Sequence, residues 1–284
     1  MTSVLGLNPA DLTLSQQVED LLIEKNLRGM KSLQPLLTPG YIARAAELLQ
    51  LADGVIFIGT GFPVGNTFET DGPVGAIALY QALAALNKRP VLVCGDPLYS
   101  AVKNDYEAIQ LPLGHSVLSQ QQVTDIIAQW QPQAVISIER AGRTADGKFY
   151  NMRGEDISAR CACFDDFMTL SNCPSIGIGD GGNEIGMGNI HQQLAHLNIV
   201  PSVTTCSELV IADVSNWAAY GLILFLQKWN QTNLLSLLNP LQIIQYLSLK
   251  GSVDGVTRDN TLTEDGLCYS EGLTLLDTLK QLTA

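Results

Sequence analysis

Residues 54–86 read GVIFIGTGFPVGNTFETDGPVGAIALYQALAAL. The stretch begins with a short apolar, β-branched run, Gly54–Ile58, which is too continuously apolar to be a surface helix and reads as a buried strand. A polar, glycine-rich segment follows, and Asp71-Gly72-Pro73 then opens a helix to about Leu86. Proline suits the first helical position, and a helix apolar nearly all round belongs inside the protein. Working outward, Pro90–Cys94, Ala134–Ile138, Ser175–Ile178 and Glu208–Asp213 are further apolar runs of strand length. Between them lie helical patterns. Thr38-Pro39 reads as a cap and first-turn pair for a helix reaching Leu49, with Ile42, Ala45, Ala46 and Leu49 at helical spacing. Ser119 caps another, in which Val123, Ile126, Ile127 and Trp130 share one face.

Strands that alternate with helices imply parallel pairing, because parallel neighbours need crossovers and both faces of such a sheet must be covered. The expected fold is α/β: a doubly wound, mostly parallel sheet with helices on both faces, Rossmann-like and three-layered. We read residues 1–284 as one such domain. Within 1–35, a helix over Leu14 to about Arg28 is expected to pack on it. Residues 231–284 form a helical C-terminal extension, in which GSVDGVTRDNTLTEDG is a loop or hairpin.

Composition narrows the function. Sixteen Lys+Arg against twenty-eight Asp+Glu give a net charge of -12, which disfavours nucleic acid and anionic membrane surfaces as partners. Only 15% of the chain is charged and 46% is hydrophobic, against about 25% charged in an average domain. This excludes a disordered or coiled-coil protein. The most apolar candidate span, Trp217 to Leu226, is about half the roughly 20 residues a bilayer requires. The N-terminus lacks the basic patch and apolar stretch of a secretory signal, so a cytoplasmic protein is expected, with its six cysteines as reduced thiols.

Glycines and polar residues follow the strands directly, where open α/β sheets bind ligands. Gly59, Thr60, Gly61, Asn66 and Asp71 come after the first strand, Glu139, Arg143 and Arg153 after the third, and Asp180, Gly181, Gly182, Asn183 and Glu184 after the fourth. Arginine forks suit carboxylates, so Arg143 and Arg153 suggest an anionic small molecule, against the plainer reading of solvated ion pairs. Backbone N–H groups of the Gly179–Gly188 loop suit an oxyanion, although glycines there can equally serve tight turns. Glu69, Asp71, Glu139, Asp180 and Glu184 are candidate acids and bases; they can also hold a divalent cation or cap helices. The sequence itself requires no cofactor and leaves a metal open. Gly59-x-Gly61 only superficially resembles a dinucleotide fingerprint, because residues 66–72 separate it from the helix. Cys161, Cys163 and Cys173 lack zinc-site spacing, and His115, His191 and His196 are dispersed.

The segments GTGFPVGNTFETDGPVGA, SIERAGRTADGKFYNMRGEDIS, GIGDGGNEIGMGN and SVDGVT together resemble the D-glutamate cyclase C-terminal-type family, formerly a domain of unknown function. The resemblance runs from about Leu14 to the end of the chain. It implies a hydro-lyase that converts D-glutamate to 5-oxo-D-proline and water, acting on a small amino dicarboxylate, with a homo-oligomer open. For that chemistry Arg143 and Arg153 would take carboxylates, and Gly59–Gly61 with Gly181 and Gly182 would supply backbone donors. Glu139, Asp180 or Glu184 would relay protons, and Asn66 and Asn183 would orient the substrate alongside Thr60 and Asp71. Two other readings compete: a non-catalytic small-anion or nucleotide-binding domain acting with a separate hydro-lyase, and a metal-dependent enzyme on a phosphorylated substrate.

Overall fold

The computed structural model describes residues 6–114 and 117–283, so His115 lies outside the described residues. The central sheet contains β1 (Val55–Thr60), β2 (Arg89–Gly95), β3 (Ala108–Leu111), β4 (Ala134–Ile138), β5 (Ser175–Gly179) and β6 (Glu208–Ile211). They lie side by side in the order β3-β2-β1-β4-β5-β6, and every neighbouring pair is parallel. This is the expected doubly wound α/β sheet. The chain winds outward from β1 to β3 and then restarts on the other side of β1 with β4. A crevice therefore opens over the carboxyl ends of β1 and β4, the place where such sheets bind ligands.

The helices are α1 (Pro9–Leu22), α2 (Met30–Leu33), α3 (Tyr41–Leu51), α4 (Pro73–Ala85), α5 (Leu98–Val102), α6 (Gln120–Trp130), α7 (Asp165–Leu170), α8 (Ser215–Asn230), α9 (Pro240–Leu249) and α10 (Tyr269–Leu282). Alternate strand residues divide between two layers. Ile56, Ile58, Leu92, Ile136 and Ile178 join α1, α3, α4, α8, α9 and α10 in one core. Val55, Phe57, Val91, Val93 and Val135 face α6 and α7 in another. Helix α8 is buried along Ser215–Leu226, so the apolar run Trp217–Leu226 lies inside the helical layer. Leu275, Leu276 and Leu279 of α10 enter the same core. No helix among the described residues is long and apolar enough to cross a membrane.

Local expectations need correction in several places. Helix α1 starts earlier than the apolar spacing indicated, because Asn8 caps it, accepting from Asp11 N at 2.9 Å, and Pro9 takes the first turn. It ends at Leu22, which leaves Arg28 in irregular chain. Helix α3 begins at Tyr41, so the N-cap is Gly40, with a φ of 91°, in place of Thr38. Ser119 caps α6 through a reciprocal box with Gln122. β3 escaped the sequence reading because AIQL is short, half exposed and at the sheet edge. GSVDGVTRDNTLTEDG holds the first strand and the turn of a two-residue hairpin, Thr263–Glu264 against Leu267–Cys268 just beyond it.

Candidate active site

Three chain segments meet over the crevice. The loop between β1 and α4 is pinned to the C-terminal region, with Thr70 N donating to Val253 O at 2.9 Å. The long loop after β4 supplies Asn151, Met152 and Arg153, and the loop after β5 supplies Asp180 and Asn183. Together they enclose a cleft of about 270 Å³, whose more exposed lining includes Arg153, Arg160 and Arg258, the last paired with Glu155 at 3.1 Å, and whose buried side chains include Glu69, Glu139, Asp180 and Asp265. A globally acidic chain thus presents a cationic rim over an acidic floor.

The floor is held by hydrogen bonds between distant elements. Asp71 accepts from Ser215 N and Asn216 N, both at 2.8 Å, so it caps α8. Asn216 returns the favour: its Oδ1 accepts from Gly72 N at 2.8 Å and Gly75 N at 2.6 Å, and so caps α4. The two helices thus satisfy each other's unpaired first-turn donors. Glu139 accepts from Ser215 Oγ at 2.7 Å, and its φ of 46° is a strained value for a non-glycine residue, of the kind that concentrates at functional sites.

One cation from the N-terminal segment reaches this floor. Asp213 accepts from Lys25 N at 2.7 Å and Leu27 N at 3.0 Å. That clamp delivers Arg28, whose Nη1 lies 2.7 Å from both Asp180 Oδ2 and Asp265 Oδ2. Burial alone would raise the Asp265 carboxyl, but the Arg28 guanidinium holds it below its ordinary range. Burial pushes Asp180 up even beside Arg28, with the Asp265 charge adding to the rise. Glu69 and Glu139 are raised well above the usual range, first by burial and then by neighbouring acids.

Glu264, behind the floor, is pushed up to about 7 by burial, although Asn216 Nδ2 donates to it at 2.7 Å. A pKa raised on folding means that stability from this group is fully present below its unfolded value and is lost as pH rises through about 7. The loss corresponds to about 3 kcal/mol for this one group at high pH. In chelator, Glu264→Gln is expected to flatten the fall in melting temperature between about pH 5 and pH 8. Coincident melting curves for the two proteins across that range would contradict it.

The residues singled out from sequence divide into those that gather here and those that do not. Glu139, Asp180 and Asn183 line the floor and Arg153 the rim, while Asp71 lies buried beneath, with a carboxylate oxygen within 4.8 Å of those of Glu139 and Asp180, and Thr60 Oγ1 packs near Glu139 against Gly72. Arg143 does not join them: its guanidinium is spent on Asp166, at 3.1 and 3.0 Å. Gly181 N and Gly182 N are not free donors, because Glu184 occupies both, at 3.0 and 2.7 Å. The loop folds its own carboxylate into its own nest, so the expectation of a relay at Glu184 and an oxyanion site at these amides is corrected together. Asn66 is exposed on a turn between Pro63–Val64 and Thr67–Phe68. Gly59 belongs to β1, paired with Val93 and Ser137, and a side chain there would run into the Phe164 ring. Gly61 has a φ of 101° and packs against Leu98.

Sequence reasoning passed over Arg28, Arg160, Arg258 and Asp265, and it named Glu69 without assigning it a place in the site. Glu69 is 6% exposed and lines the cleft, and its carboxyl takes no hydrogen bond among the described residues. Gly255 of the SVDGVT segment lies directly against it, where a Cβ would collide with Glu69 Oε2. A glycine pressed on an acid was the available signal, hidden by the separation of the two segments in sequence.

The human protein named D-glutamate cyclase, mitochondrial, is 32% identical over 243 residues, which cover 75% of this chain and 39% of that protein. The chain thus spans well under half the length of that relative. An exopolyphosphatase-related protein from Bacteroides fragilis, solved as a crystal structure, aligns with a TM-score of 0.40 at 9% identity, covering 87% of this chain and 61% of that one. That likeness is too loose to carry an argument about either fold or chemistry. The family described as D-glutamate cyclase-like, C-terminal, matches residues 18–280. With nearly all of the chain inside that match, the protein belongs to the D-glutamate cyclase-like, C-terminal family.

Proposed function

We propose that the cleft cyclises D-glutamate to 5-oxo-D-proline and water. The observation that carries this reading is the pairing of an arginine rim with an acidic floor in one small cleft, in a chain 32% identical over its matched length to a D-glutamate cyclase. A dicarboxylate with an ammonium group is complementary to that division of charge. Arg153 and Arg160 would hold the carboxylates at the mouth, and the ammonium would point to Glu69 on the cleft wall.

The reaction forms a bond between the α-nitrogen and the γ-carboxyl carbon and breaks a bond from that carbon to one oxygen. Two of the three ammonium protons leave the nitrogen, and both end on the departing oxygen as water. A side chain that accepts a proton at one site and returns it at the other serves both transfers. Glu69 occupies the position for this relay, buried, facing the cleft and without a hydrogen-bond partner among the described residues. Both reacting groups belong to one molecule, so folding the substrate into its ring-closing shape supplies much of the acceleration.

Incubating the purified chain with D-glutamate or L-glutamate, with and without Mg²⁺ or Mn²⁺, and following 5-oxoproline by NMR tests the reading. Product is expected from D-glutamate, and faster than from L-glutamate. A folded protein that makes no product from either isomer under any of these conditions would overturn it, and would favour a small-anion-binding domain acting beside a separate hydro-lyase.

A further inference from the structure

We propose that the floor of the cleft binds one hard divalent cation through Asp71, Glu139 and Asp180. One carboxylate oxygen from each lies within 4.8 Å of the others. Ions bound at about 2.0–2.6 Å from oxygen place their ligands at such separations. The three side chains come from different strand ends: Asp71 from the loop entering α4, Glu139 from the end of β4 and Asp180 from the end of β5. Their residues are 1%, 6% and 2% exposed, so bulk water does not separate the charges.

A second observation is independent of the carboxylates. Two neutral oxygens of the same strand-end loops, Thr60 Oγ1 and Asn183 Oδ1, are buried and have no partner among the described residues, on residues that are each 1% exposed. Buried polar atoms almost always find partners. Thr60 ends β1 next to Glu139, and a Cβ placed on Gly72 would lie 2.9 Å from Thr60 Oγ1 and 2.7 Å from Glu139 Cβ. The hydroxyl therefore faces the junction of Asp71-Gly72 with Glu139. Asn183 lines the cleft and spends its Nδ2 on Tyr150 O at 2.9 Å, which leaves the carbonyl oxygen as its spare end.

The donor set is oxygen throughout, with carboxylates, one hydroxyl and one amide carbonyl. That composition suits Mg²⁺, Mn²⁺ or Ca²⁺ and does not suit the sulfur and imidazole sites of zinc. Charge balance points the same way. Arg28 meets Asp180 and Asp265, which leaves Asp71 and Glu139 with hydrogen bonds but no cation in contact among the described residues. A buried carboxyl without a cation favours its neutral form, and a bound divalent cation would favour the ionised, ligating one.

The site is read by binding alone, so it stands or falls separately from the cyclase reading. The wild-type chain is titrated with Mn²⁺ while the free ion is followed by electron paramagnetic resonance, with thermal unfolding recorded in parallel. One Mn²⁺ per chain is expected to bind at low-millimolar concentration or below, raise the melting temperature and be displaced by Mg²⁺. Glu139→Gln and Asp180→Asn should each weaken binding roughly tenfold or more, while Asp277→Asn, on the exposed side of α10, should not change it. If either carboxyl variant fails to fold, Thr60→Val and Asn183→Ala decide in its place, since each removes a neutral donor. No binding by the wild type, or wild-type affinity in the folded variants, would overturn the proposal.

Discussion

Glu69→Gln is expected to lower D-glutamate turnover by roughly 10²- to 10⁴-fold, the usual contribution of a positioned acid or base. The substitution keeps the size and shape of the side chain and removes only its ability to exchange a proton. Glu69 receives no hydrogen bond that the amide would break among the described residues, and its neighbour Gly255 leaves room for the terminal atoms but for nothing larger. Melting temperature should therefore stay near that of the wild type, or rise, since the amide removes a buried acid crowded by Asp265 and Asp71. Turnover and melting temperature measured on the same preparation separate the two effects. A folded Glu69→Gln protein with wild-type turnover would remove Glu69 as the relay and return the role to Glu139 or to a bound cation.

The second large effect concerns stability. Gly59→Ala is expected to destabilise the fold by about 3 kcal/mol, the upper part of the usual range for overpacking, and to lower the melting temperature by roughly 6 °C. A methyl group on Gly59 meets three atoms of the Phe164 ring, with Cζ at 2.7 Å. That ring cannot retreat, because it stacks on Phe167 at a centroid distance of 5.3 Å and carries the Arg140 guanidinium on its other side at 5.4 Å. Arg140 in turn donates to Thr60 O at 2.6 Å and to Ala162 O. The displacement is thus passed to the carboxyl end of β1. Phe164→Leu in the Gly59→Ala background should recover part of the loss. Wild-type stability with lost activity in Gly59→Ala would instead restore the reading of Gly59 as a backbone donor to substrate.

What could be read in the sequence follows from which interactions are local. Five strands announced themselves because a strand buried on both faces reads as a nearly continuous apolar run, as in Val55–Thr60 and Ala134–Ile138. β3 did not, because an edge strand needs only one good contact, here Leu111. The strand-end loops were rightly placed around the crevice by topology alone. Partners inside those loops were not legible. Nothing near Arg28 indicates that its guanidinium meets Asp180 and Asp265, 152 and 237 residues away. Arg143 and Arg153 are indistinguishable by residue type, yet one is tied to Asp166 and the other opens on the cleft. Gly181 and Gly182 had the composition of an anion-binding loop and are one, but the anion is Glu184, two or three residues along the same loop.

The reciprocal caps of α4 and α8 bear on the protein's synthesis. Asn216 closes the first turn of a helix that begins at Pro73, and Asp71 closes the first turn of one that begins at Ser215. More than half of the chain must therefore leave the ribosome before either helix can finish its own start, and the acidic floor between them has no stable shape until then. An emerging chain holds its carboxylates apart in water, where they repel weakly, and gathers them only when the helices that shelter them have both arrived. During synthesis the cleft therefore waits for Asn216, and a ribosome-bound chain that stops short of that residue carries the sheet's first strands without the caps that shape the floor.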